Sequence, residues 1–129
     1  LRTVTGVQTC ALPISVHCIA FSPTGRQIAG GTEDGARLWN VDGTPGPELK
    51  QEGHVQGIAF SPDGKLALTG GTDKQGRLWD AAVGKPFGEP LTHGAFIYAV
   101  AFSPDGRRIY FNVSDEKWTR LFVAEHNEP

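Results

Sequence analysis

Three times along the chain a short apolar run meets the same kind of stop. The runs are Val16–Phe21 (VHCIAF), Val55–Phe60 (VQGIAF) and Ile97–Phe102 (IYAVAF). Each places apolar side chains on both faces, the pattern of a strand covered on two sides. Each ends at Ser-Pro-x-Gly: residues 22–25, 61–64 and 103–106. Proline presets φ at the second turn position and glycine tolerates the last. Ser22, Ser61 and Ser103 can bond locally to close the turn. Second strands follow in RQIAG, KLALTG and RRIYFN, then turns at Glu33-Asp34-Gly35, Asp73-Lys74-Gln75-Gly76 and Asp115-Glu116-Lys117. Third strands follow in ARLWN, GRLWD and WTRLFV. Leu38 and Trp39 point to opposite faces, as do Leu78 and Trp79.

The anchor residues Phe21, Phe60 and Phe102 recur 39 and 42 positions apart, and the closing aromatics Trp39, Trp79 and Phe122 recur 40 and 43 apart. A period near 40 marks a propeller or a solenoid. Strand-length runs without a 3.6-residue period decide for strands over helical repeats. The expected fold class is all-β: a partial β-propeller of about three four-stranded antiparallel blades, with the ring not closed. The blades are expected at 16–51, 55–92 and 97–129. Outer strands fall in PELKQ for the first and within Phe87–Leu91 for the second, and the third has only AEHNEP left for one.

Composition changes this picture little. The chain has 129 residues and 39% hydrophobic content, which suits one modest domain, and 17 glycines and 9 prolines suit many tight turns. Its formal charge of −2 comes with no basic stripe, so neither nucleic acid nor an anionic membrane is the expected partner. No apolar run has bilayer length. Two cysteines, Cys10 and Cys18, make no disulfide framework. No GK[ST] follows a glycine run, so the Ser-Pro-x-Gly turns are hairpins and not phosphate loops.

Residues 1–15 stand apart. Val4–Ile14 (VTGVQTCALPI) looks like the in-frame translation of a short-read sequencing adapter, and methionine is absent from the chain. The expectation is a non-biological segment over 1–15 and a repeat array over 16–129, incomplete at its N-terminus.

The array resembles the WD-repeat family of β-propellers. Phe60-Ser61-Pro62-Asp63-Gly64, Leu78-Trp79-Asp80, Gly53-His54 and the matching positions of the flanking units carry the resemblance, and residues 76–93 are similar to bacterial WD arrays in particular. The resemblance implies a buried hydrogen-bond chain in each blade: a His before the first strand, an Asp after the second, a Ser or Thr, and the closing Trp. In unit two the candidates are His54, Thr72, Asp73 and Trp79, and in unit three His93, Ser114 and Asp115. His93 precedes Phe102 by nine residues, the usual family spacing, whereas His54 precedes Phe60 by six. Phe122, in place of Trp, has no N–H to donate. The expected blade core is Phe21, Trp39, Phe60, Leu78, Phe102, Leu121 and Phe122.

A catalytic reading of these His, Asp and Ser residues loses to the structural one. They recur as a staple, and no activated nucleophile accompanies them. His17 and Cys18 are adjacent on a strand and face opposite ways, which argues against a metal site. Arg37, Arg77 and Arg120, each two residues before a closing aromatic, read as stems covering a blade face, with the rim of a binding surface as the alternative. The sequon Asn112-Val113-Ser114 sits at a strand end and reads as chance. The expected function is a non-catalytic protein–protein interaction scaffold. It would be cytoplasmic, would bind a protein or peptide without cofactor, catalytic residue or metal, and would form part of a larger WD-repeat protein with a role in signalling. The alternative is the propeller module of a larger enzyme, a serine/threonine kinase, ATPase or hydrolase. Residues 16–129 alone are expected to self-associate, because an open array leaves two apolar faces wet.

Overall fold

A computed structural model describes residues 15–114 in full and the backbone of the strand at 119–125. Eleven strands are described: β1 (Val16–Phe21), β2 (Gln27–Thr32), β3 (Gly35–Asn40), β4 (Pro45–Leu49), β5 (Val55–Phe60), β6 (Leu66–Gly71), β7 (Gln75–Asp80), β8 (Leu91–Thr92), β9 (Phe96–Phe102), β10 (Arg108–Ser114) and β11 (Thr119–Glu125). They form three antiparallel sheets in chain order: β1-β2-β3-β4, β5-β6-β7-β8 and β9-β10-β11. The all-β partial propeller is therefore present, with a third sheet of three described strands. Residues 126–129, the place left for a fourth, lie outside the described residues.

The repeat is visible in the registers. Phe21 stands beside Ile28 and Trp39 in the first sheet, and Phe60 beside Ala67 and Trp79 in the second. Those rows define one face, here called the front. On the back face Ala20 aligns with Ala29 and Leu38, and Ala59 with Leu68 and Leu78. Each innermost strand also carries a bulge near its start, between Val16 and Cys18 and between Val55 and Gly57, with a matching shift where Ile97 and Ala99 pair with Val113 and Asn112. The extra residue bends the strand and increases its twist at an equivalent point in each unit.

The sheets stack back to front. The back of the first (Ala20, Ala29, Leu38) packs on the front of the second (Ile58, Phe60, Ala67, Trp79), and Leu68 and Leu78 of the second pack on Ile97, Phe102, Ile109 and Phe111 of the third. Trp79, 2% exposed, is the large side chain of the first contact, and Phe111, 0% exposed, of the second. Full burial of such side chains contributes about 1.5–3 kcal/mol each. Glycines on the back faces permit the approach: a Cβ on Gly57 would lie 2.9 Å from Ala99 Cα, and one on Gly76 would collide with the Phe111 ring.

Several expectations change. Phe21 is 66% exposed and Trp39 is half-buried, because no described residue covers the front of the first sheet. Phe60 is buried, and Leu78 and Phe102 are half-buried. Phe122 does not take the register of Trp39 and Trp79: it stands opposite Phe111, and Ala124 stands opposite Ile109. The longer third unit shifts its closing aromatic by two positions along the strand. The side chains of Leu121, Phe122 and Arg120 lie outside the described residues. In the second sheet β8 is only Leu91–Thr92, with a separate bridge from Trp79 to Pro86. Pro86 and Pro90 cannot donate to a ladder, which breaks the edge there.

Candidate interaction surfaces

The second sheet contains a buried hydrogen-bond chain that fixes one rim. The Trp79 indole N–H donates to Thr69 Oγ1 at 2.8 Å, and the Thr69 hydroxyl donates to Gln51 Oε1. Gln51 Nε2 then donates to Asp73 Oδ1 and to the Gln75 carbonyl, each at 3.0 Å. Asp73 Oδ1 also accepts from the Gln75 backbone N–H at 3.1 Å. Thr69 is 0% and Gln51 4% exposed, so the chain is shielded from water from the indole to the turn. It couples the packing of Trp79 to the conformation of the β6–β7 turn.

Two of the residues expected in that chain sit elsewhere. His54 is exposed and its ring stacks on His17, with centroids 5.2 Å apart. Its backbone N–H donates to Thr72 Oγ1 at 2.9 Å, and the Thr72 N–H donates back to the His54 carbonyl. His54 and Thr72 thus lock the loop entering β5, while Gln51 and Thr69 connect Asp73 to Trp79. The missed signal was spacing. Gln51 precedes Phe60 by nine residues, as His93 precedes Phe102. A search for histidine alone passes over a glutamine that can accept and donate at the same place.

In the other units the position of Thr69 holds no hydroxyl. In the first it is Gly30, beside Ile19 and Arg37, and the Trp39 ring lies over it: a Cβ there would be 2.8 Å from Trp39 Cζ3. In the third it is Phe111, beside Val100 and Phe122. His93 is half-buried with its ring 4.8 Å from that of Phe111, and burial holds its imidazole below the usual histidine value. Its backbone N–H donates to the Lys74 carbonyl at 2.8 Å. Ser114 closes β10 opposite Phe96 and Thr119. Asp115 lies outside the described residues.

The opposite rim is built from the Ser-Pro-x-Gly turns. Ser61 and Ser103 each donate to the turn aspartate, Asp63 and Asp105, at 2.6 Å. The hydroxyls then accept from the N–H of Leu66 and Arg108 at 3.0 Å. The serine hydroxyl, and after it the backbone N–H of Lys65 or Arg107, holds each carboxyl below the ordinary aspartate value. In the first unit Ser22 and Thr24 share a 2.9 Å hydroxyl contact instead.

A cleft opens at each end of the contact between the first two sheets. One, of about 810 Å³, is lined by Asp34, Arg37, Glu48, Lys50, Glu52 and Arg77 among others. Arg37 pairs with Glu48 at 2.9 Å and Arg77 donates to Gln75 Oε1, so both arginines are held by their own sheets. The other, of about 710 Å³, is lined by Arg26, Gln27, Asn40, Asp63, Lys65 and Phe87 among others. Its floor is tied across the sheets, where Gln27 Nε2 donates to the Ala81 carbonyl at 3.0 Å. Both clefts mix charges of two signs on a rigid strand frame. Asn112, of the sequon, lies mid-strand in β10 with its Oδ1 buried. The Cys18 thiol donates to the Val55 carbonyl, and burial raises its pKa. Among the described residues no group of three or more His, Cys, Asp or Glu is placed to hold a metal ion, and no helix is long and apolar enough to cross a membrane.

Comparison with known proteins also gives three repeats, with bounds offset from those of the sheets. The family model "WD domain, G-beta repeat" matches at residues 6–40, 46–80 and 84–120, the first match taking in part of the segment before Val16. A periodic tryptophan protein 2 homolog of Schizosaccharomyces pombe is 28% identical over 122 residues, which cover 84% of this chain and 14% of that protein. Small ribosomal subunit protein RACK1y of Oryza sativa subsp. japonica is 35% identical over 96 residues, 70% of this chain and 28% of that protein. THO complex subunit 3 of Arabidopsis thaliana is 31% identical over 118 residues, 85% of this chain and 37% of that protein. The chain spans well under half the length of each of these relatives.

Proposed function

The chain belongs to the WD-repeat family, and on that premise we propose that it is a non-catalytic scaffold that binds a protein or peptide along the rims of its stacked sheets. The observation that carries this reading is the rim cleft lined by Asp34, Lys50, Glu52 and Arg77, set on a frame that hydrogen bonds immobilise. Mixed charges on a fixed backbone give orientation and specificity to a polypeptide partner without any reactive group. Two relatives are by name subunits of larger assemblies, a small ribosomal subunit and a THO complex, which supports the same kind of work here. A formal charge of −2, with both signs mixed in each cleft, favours a polypeptide over nucleic acid. Membership in a larger cytoplasmic signalling protein is the further part of this proposal.

Reading the whole gene around these repeats tests it. More WD units, with no catalytic signature in the same polypeptide, is the expected result. A kinase pair of HRD and DFG, or a hydrolase GxSxG, in the same chain would make the array an enzyme module and overturn the scaffold reading.

A further inference from the structure

The first two sheets each carry an arginine at the same register position, and among the described residues only one of the two is paired with a carboxylate. In the first sheet Ala36 stands opposite Leu49 and Arg37 opposite Glu48, and the last two side chains pair at 2.9 Å. In the second sheet Gly76 stands opposite Leu91, the matching row. One step further along that register Pro90 takes the place of Glu48, and it lines a small pocket together with Arg77. Proline brings no acceptor on its side chain. Glu89 lines the same pocket, but it is exposed and makes no ion pair with Arg77.

A neutral amide holds Arg77 instead. Its Nη2 donates to Gln75 Oε1, and its Nε is buried with no acceptor. These two nitrogens form one edge of the guanidinium, a fork that matches a carboxylate through two parallel bonds. Gln75 is itself fixed: its carbonyl accepts from Gln51 and its N–H donates to Asp73. The buried chain that starts at Trp79 therefore ends at the residue that positions the arginine. Arg77 is half-buried and lines the cleft of about 810 Å³ with Ala36 and Leu49 of the first sheet. Outside the Arg37–Glu48 pair the other charged residues of that cleft, Asp34, Lys50 and Glu52, are exposed, so solvent screens them more than it screens Arg77.

We propose, resting on the scaffold reading above, that Arg77 receives an aspartate or glutamate side chain of the partner polypeptide in the cleft between the first two sheets, as Glu48 serves Arg37. The incoming carboxylate takes the edge formed by Nε and Nη2 and displaces the Gln75 amide, because an ionised acceptor bonds a guanidinium more strongly than a neutral one. The fixed position of Arg77 lowers the ordering cost of that pair.

For the test, a random peptide library displayed on phage is selected on the 129-residue chain, and enriched peptides are titrated calorimetrically. The expected binders share an Asp or Glu. Changing that acid to its amide should weaken binding to the parent at least about ten-fold, as for loss of a charge-assisted bond, and should change nothing on Arg77→Gln. Pro90→Glu puts an internal carboxylate where the first sheet has Glu48 and should weaken the acidic peptide by a similar factor, whereas Pro90→Gln should not. Pro90 is exposed, so folding tolerates both changes. Lys85→Gln removes an exposed positive charge outside the cleft and should bind as the parent does. Binders indifferent to the acid-to-amide change and to Pro90→Glu would overturn the proposal and leave the scaffold reading standing. So would an equal loss in Lys85→Gln, which would mean an effect of net charge. A library that yields no binder would overturn both.

Discussion

Replacing Thr69 with Val is the sharpest probe of the buried chain in the second sheet. The change keeps the shape and removes one hydroxyl that accepts from the Trp79 indole and donates to Gln51 Oε1. Trp79 is 2% exposed and Gln51 4%, so water cannot replace what is lost. Each buried polar group left without a partner costs about 1–3 kcal/mol. Two such groups, less a gain of about 0.8 kcal/mol from burying a methyl, give a loss of about 1–5 kcal/mol. Thr69→Ser keeps the hydroxyl and loses one methyl, so about 1 kcal/mol is expected. His54→Ala removes an exposed ring outside the chain and should change stability by less than about 0.5 kcal/mol. The assay is reversible denaturant unfolding at one fixed protein concentration, because association would otherwise shift the midpoints. A Thr69→Val midpoint indistinguishable from the parent, or a His54→Ala loss as large as that of Thr69→Val, would refute the assignment of Thr69 and Gln51.

Other outcomes follow from the same geometry. Trp79→Ala should cost about 3–5 kcal/mol as a large deletion between sheets, and a loss below about 1 kcal/mol would take Trp79 out of that contact. Gly76→Ala should destabilise by about 1–3 kcal/mol, since its Cβ meets the Phe111 ring, while Gly94→Ala, with open space around it, should be near neutral by the same unfolding assay. Burial lowers the His93 pKa, so the unfolded chain binds its proton first. Stability from this group is present above about pH 6.5 and is lost as pH falls toward the depressed folded value, and His93→Phe should flatten that part of the pH–stability curve. Asp63 and Asp105 are depressed by Ser61 and Ser103, so their stabilisation is present above the ordinary aspartate value and disappears as pH falls through the lowered ones. The double variant Ser61→Ala, Ser103→Ala should weaken that acid dependence. Sequencing the unamplified source locus should find codons other than those for Val4–Ile14 ahead of Val16.

The architecture was legible because each unit states the same instruction at every level. Apolar runs ending at Ser-Pro-x-Gly, a period near 40, and Leu next to Trp on the third strand lead to one stack of sheets. The site was legible in part. Asp73 and Trp79 carry strong type signals, while Gln51 is recognisable only by its distance from Phe60. Thr69 and Thr72 cannot be separated by type, since both are threonines near a turn. Only the register of β6 with β5 and β7, with Thr69 opposite Ile58 and Arg77, shows which one reaches the indole. The exposure of Phe21 was not legible at all at the level of one residue. Its sequence context matches that of buried Phe60, and burial depends on which sheet stands in front. Phe122 stands opposite Phe111 and not opposite Ile109, and a strand register of this kind is not written in any one residue.

The scaffold reading itself is tested most directly by the affinity of a polypeptide partner for rim variants. A partner captured from the source organism and purified would be titrated calorimetrically against the parent chain, against Asp34→Lys with Lys50→Glu, and against Arg26→Glu with Lys65→Glu. The account predicts at least a ten-fold loss for one rim pair, with the unfolding midpoint unchanged and no covalent change in the partner. Full affinity in both rim pairs, or chemical turnover of the partner by the chain, would contradict it.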